Sequence, residues 1–128
     1  MINAIWDSVL HSISDWEECV SKGKLSLEHN NKNVESILVD MSETIKKLKW
    51  HEYTLMDEKI KDTKKLIVLQ YLENIIPMFS KEFDLKVCIS NQYNGSTKKR
   101  KTILYLWVTQ PYIDEQYILS LPKEIPQN

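Results

Sequence analysis

A chain of 128 residues, 42% hydrophobic and 27% charged, has the size of one ordinary domain and can bury about two-thirds of its unfolded surface in a single core. With two Gly and four Pro it has neither a disordered nor a repetitive fibrous composition. No apolar run approaches the ~18 residues that cross a bilayer, and the N-terminus lacks a basic segment followed by an apolar stretch, so a cytoplasmic protein without membrane contact is expected.

The formal net charge of −1 conceals an uneven distribution. Residues 1–45 hold three Lys against eight acids, whereas residues 46–65 hold seven Lys against four acids, and Lys98, Lys99, Arg100 and Lys101 form the densest basic cluster. Such polarity favours contact with a charged partner. Cys19 and Cys88 are far apart and fall at apolar-periodic positions, as reduced, buried thiols would.

Ile2, Ile5, Trp6, Val9, Ile13, Trp16 and Val20 recur at three and four residues, which predicts a first helix with one broad apolar stripe, ended by Gly23 as a left-handed cap. Lys24–Glu28 alternates briefly and reads as a short strand or a linker. Asn31 and Asn33 are candidate caps of a second helix carrying Val34, Ile37, Leu38, Met41, Ile45 and Leu48. After an irregular stretch from Trp50 to Met56, Asp57 is the candidate cap of a third helix, with Ile60, Ile67, Val68, Tyr71, Leu72, Ile75 and Ile76 inside. Pro77 is expected to kink or end it.

Beyond residue 83 the period changes to two. Leu85, Val87 and Ile89 alternate with Lys86, Cys88 and Ser90, and Ile103–Val108 is apolar throughout, as in a strand covered on both faces. Asn94-Gly95 is a preferred tight-turn pair, so these runs are expected to form a β-hairpin pairing Tyr93 with Ser96 and Leu85 with Leu104, with the basic cluster on its second arm. Tyr112–Leu121 reads as a short helix or a third strand. The expected fold is a single α+β domain over residues 1–128, with three N-terminal helices packed on a small antiparallel sheet built around the C-terminal β-hairpin.

The apparatus of catalysis is not legible. His11, His29 and His51 have no His or Cys three to five residues away, which gives no local support for a metal site, and two glycines are too few for a phosphate-cradling loop. The Ser residues lack the Gly-x-Ser-x-Gly elbow. Trp50-His51-Glu52-Tyr53 places a His beside a carboxylate, but adjacency alone fits a polar junction between two helices better. Trp6, Trp16 and Trp107 lie in apolar patterns and are expected in the core. No catalytic residue, metal or cofactor is therefore assigned.

The order helix, possible strand, helix, helix, strand, basic loop, strand resembles that of the winged helix-turn-helix family over residues 1–108. The resemblance implies a third helix in the DNA major groove, with Lys59, Lys61, Lys64 and Lys65 on DNA beside Lys98, Lys99 and Arg100 of the wing. Asp57, Glu58 and Asp62 on the candidate recognition helix depart from that pattern. The favoured expectation is a non-enzymatic inhibitor resembling the broad group of immunity proteins, which neutralise bacterial toxins. Its acidic face (Asp7, Asp15, Glu17, Glu18, Glu28, Glu35 and Asp40) would cover a basic toxin domain, such as a nuclease active site. The alternative is a nucleic-acid contact through Lys98, Lys99, Arg100 and Lys101.

Overall fold

A computed structural model describes residues 1–29, 33–93 and 97–126, with the main chain alone at 97 and 98. Among the described residues there is no strand: the elements are α1 (Ile2–Glu28), α2 (Val34–Leu55), α3 (Lys65–Asn91), α4 (Thr97–Thr109) and the short α5 (Glu115–Leu119). The expected α+β fold, with its sheet and hairpin, is thereby replaced by an all-helical one. The expected turn at Asn94-Gly95 and the Asn31 cap lie outside the described residues.

Packing joins α1 to α2, α2 to α3, α3 to α4 and α4 back to α1, the neighbour order of an up-down-up-down four-helix bundle. Contacts between chain-distant residues agree with that direction: Trp6 meets Tyr71 and Trp16 meets Phe79 as α1 and α3 ascend together, while Lys86 meets Trp107 as α3 and α4 run oppositely. Large aromatics thus span the diagonal of the bundle. Trp6, Trp16, Phe79 and Trp107 are fully buried, and each removal to Ala would cost about 3–5 kcal/mol.

Most of the expected stripes of α1 and α2 are buried, with Ile5, Val20 and Leu38 half-buried at their edges. Gly23, however, does not end α1. The helix continues one turn to Glu28, absorbing the expected short strand, because Gly23 is a packing position: a Cβ there would fall inside the Trp107 indole. Trp107 Nε1–H then donates to the Val20 carbonyl at 2.9 Å. Asn33 does occupy the N-cap of α2, without a side-chain capping bond.

The supposed junction at Trp50–Tyr53 is the last part of α2, and the connection lies further on. Asp57 Oδ1 accepts from Lys59 N–H at 3.0 Å and Asp62 Oδ1 from Lys64 N–H at 2.9 Å, local bonds by which Asp favours turns over helix. Consequently α3 begins at Lys65 rather than Asp57. Pro77 sits inside α3 without ending it. Both Pro77 and Glu73, whose carbonyl loses its partner, lie on the exposed side, where water can take the hydrogen bond.

The expected first strand is the last part of α3, and the expected second strand lies in the second half of α4. The helical stripe of α3 runs Ile75, Phe79, Glu82, Lys86, Ile89; two of its core positions are charged, so the apolar period of 3.6 is broken and the alternation of Leu85, Val87 and Ile89 stands out instead. Among the described side chains of α4 only Ile103 and Trp107 are buried, with Tyr105 exposed, so an apolar run of six residues encoded a helix. Cys19 is buried as expected, whereas Cys88 is exposed.

α4 ends at Thr109, and the φ of +46° at the next residue, Gln110, is the one left-handed non-glycine conformation among the described residues. Pro111 follows and directs the chain towards α5. Asp114 caps α5 by accepting from Tyr117 N–H at 3.1 Å, and Asn74 of α3 donates to the Tyr117 hydroxyl at 3.1 Å. The tail then returns to α1, where Trp6 Nε1–H donates to the Pro122 carbonyl at 2.8 Å and Ile125 is buried.

Candidate functional site

The outward ridge of α1 carries most of the acids singled out in the sequence. Asp7, Glu17, Glu18 and Glu28 are exposed and Asp15 is half-buried, because the apolar residues of the helix turn inward at three- and four-residue spacing and leave the intervening positions to solvent. Asp15 and Glu18 line a groove of about 270 Å³ between α1 and α2, together with Asp40 and Glu43 of α2. Asp40, a long way off in sequence, is brought to this groove by the antiparallel return of α2.

Cys19 lies at the bottom of the groove. Its thiol is pushed up by burial and by Asp40, with Asp15 and Glu18 adding to the effect and Lys22 opposing it, so the carboxylates act on one shared volume. Lys22 and Lys47 also line the groove. Lys22 pairs with Glu18 at 3.2 Å, and Lys46 pairs with Glu43 at 3.2 Å. These are exposed i,i+4 and i,i+3 pairs of small worth, and a partner can exchange them at little cost.

The remaining acids separate from this groove. Glu17 faces the other flank of α1 and lines a pocket of about 260 Å³ with Glu115. Asp7 shares a polar cleft with Lys64 and Glu124, Glu28 pairs with Lys24 at 3.7 Å, and Glu35 is exposed in the first turn of α2. The expected single face is thus a ridge with two flanks. Glu43 and Glu115 join it without having been singled out: Glu43 was legible as the residue one turn after Asp40, whereas the approach of Glu115 depends on the path of the chain after α4.

Lys99 and Lys101 are exposed and Arg100 half-buried on the first turns of α4, and the side chain of Lys98 lies outside the described residues. They stand on a helix rather than on a hairpin arm, so the described residues do not form the wing implied by the winged-helix resemblance. His51 Nε2 is 2.9 Å from Ser8 Oγ across α1 and α2, and burial, reinforced by Lys47, lowers its pKa. Trp50 and Tyr53 stack on the exposed side of α2, with centroids 5.9 Å apart.

A fully buried pair of charges stands elsewhere and was missed in the sequence. Glu82 and Lys86 form a fully buried ion pair at 2.8 Å. Lys86 Nζ also donates to the Trp107 carbonyl at 2.8 Å and lies 4.8 Å from the Trp107 ring centroid, while Glu82 Oε1 accepts from Tyr112 N–H at 3.1 Å. Burial lowers the Lys86 pKa, opposed by Glu82. The ion pair lies within α3, and its outward bonds to the Trp107 carbonyl and to Tyr112 N–H tie α3 to α4 and to the segment after it, which makes the pair a structural clamp. Among the described residues no group of three His, Cys, Asp or Glu side chains could hold a metal ion, and no helix is long and apolar enough to cross a membrane. No protein-family model, curated protein or solved structure matches the chain.

Proposed function

We propose that the protein is a non-enzymatic inhibitor whose α1 ridge covers a basic surface on a protein partner, in the manner of immunity proteins that neutralise bacterial toxins in the cytoplasm. The observation that carries this reading is the convergence of Asp15, Glu18, Asp40 and Glu43 on one open groove, where acids from two rigid helices meet. Carboxylates held this way raise the association rate and select for basic partners, while tight inhibition needs only surface complementarity. The strongly buried charges support it as well: Glu82 and Lys86 spend their hydrogen bonds on each other and on the main chain.

The test is capture from the lysate of the source cells with the native chain and with the Asp15→Lys/Glu18→Lys variant, both with nuclease treatment. A stoichiometric protein retained by the first and lost or weakened with the second supports the reading. Nuclease-sensitive recovery would instead direct attention to the lysines of α4, and equal retention by both chains would remove the acidic groove from the interface.

A further inference from the structure

The second flank of the α1 ridge holds a pocket whose lining differs in kind from that of the groove. Ile13 and Trp16 of α1, Phe79 of α3 and Ile113 and Ile118 around α5 supply apolar walls, and Glu17 and Glu115 supply two carboxylates. No Lys, Arg or His is among its lining residues, whereas in the groove between α1 and α2 two lysines stand among four acids. The lining of this pocket thus carries two acids and no base.

From this combination we infer that the pocket is the anchor site for one arginine side chain of a basic protein partner. The inference rests on the inhibitor reading and specifies how that partner is held. A volume of about 260 Å³ lies below the ~300–1,000 Å³ of sites for drug-sized ligands, so one long side chain suits it better than a cofactor. Apolar walls accept the methylene stem of arginine, and its planar, permanently charged fork can address two carboxylates at once. An apolar pocket beside a charged rim is also the anatomy of interfaces in which a few buried residues, Arg prominent among them, carry most of the binding energy.

The pocket is held in shape before any partner arrives. Trp16 and Phe79 stack with centroids 4.8 Å apart, and Trp16 Nε1–H donates to Gln110 Oε1 at 2.8 Å, fixing the residue whose left-handed backbone turns the chain towards α5. Asp114 N–H donates to Met78 Sδ at 3.3 Å, and the Asn74–Tyr117 bond seats α5 on α3. Such preorganisation lowers the entropy lost on binding.

The experiment needs no identified partner. The full chain is titrated with N-acetyl-arginine amide while the Trp16 indole N–H and the Ile113 and Ile118 methyl resonances are followed, with N-acetyl-citrulline amide as the neutral isostere. Saturable shifts at all three residues are expected, with citrulline binding weaker by about tenfold or more, a difference of ~1.4 kcal/mol. The shifts should vanish in the Glu17→Gln/Glu115→Gln variant, whose exposed substitutions leave the core intact. Equal binding of the two compounds, unchanged shifts in the variant, or no saturable shift would each overturn the anchor. Failure here, with partner capture still sensitive to Asp15 and Glu18, would remove the pocket alone; arginine binding without any captured protein would remove the inhibitor reading alone.

Discussion

Two Glu–Lys pairs with the same four-residue spacing, one on the surface and one in the core, have opposite roles. Glu18 and Lys22 of α1 lie 3.2 Å apart with side chains 64% and 62% exposed; Glu82 and Lys86 of α3 lie 2.8 Å apart and wholly buried. Water screens the first pair and leaves both charges available to a partner. The second has lost its water, so each charge depends on the other and on the main-chain groups of Trp107 and Tyr112. Identical local chemistry thus yields a replaceable surface contact in one place and a clamp in the other, and what differs is only what the helix packs against.

The largest effect should come from breaking the clamp. Lys86→Met leaves the Glu82 carboxylate buried and unpaired and is expected to cost about 3–5 kcal/mol in urea unfolding. Adding Glu82→Gln, which keeps an acceptor for Tyr112 N–H, should recover much of that loss. A double variant no more stable than the single one would show that the charge itself is not what binds α3 to α4.

A smaller loss is expected at Gly23. Ala in place of a mid-helix Gly normally stabilises a helix by about 0.5–1 kcal/mol, but here its Cβ would displace the Trp107 indole, and with it the carbonyl that receives Lys86. Gly23→Ala should therefore destabilise by about 1–3 kcal/mol, read from the shift in unfolding midpoint. A stabilised variant would mean that Trp107 can move without disturbing the clamp. The exposed pair forms the contrast: Glu18→Gln should leave the unfolding midpoint where it was.

The smallest effect concerns pH. Burial lowers the His51 pKa from its usual value near 6.5, so below about pH 6.5 the unfolded chain binds a proton that the folded chain resists, and stability falls as the pH drops through that window. His51→Gln, which can still reach Ser8, should flatten this part of the stability profile. An unchanged slope would place the acid sensitivity on other groups.

The same contrast explains what the sequence could and could not reveal. On α1 and α2 the core positions are apolar or small and uncharged, so period and burial largely coincide and the acidic ridge follows from the residues left outside it; Asp15 and Glu18 were legible for that reason. On α3 the clamp occupies two core positions with charged residues, which erased the helical period and made Leu85–Ile89 look like a strand. Asn94-Gly95 and the six apolar residues of α4 then completed a false hairpin. Gly23 was misread because its role lies in the approach of Trp107, 84 positions away. Long-range proximity hid Glu115 in the same way, while the Trp50–Tyr53 stack lies on the surface although its aromatic character suggested an anchored junction.

The division of labour between surface and core charges can be tested with one variant. Asp15→Lys/Glu18→Lys should unfold at the same urea concentration as the native chain, yet associate with the captured partner more slowly by about tenfold or more at low salt, the scale on which surface charge steers encounter. An unchanged association rate would contradict the account, because the exposed charges of α1 would then serve neither the fold nor the partner.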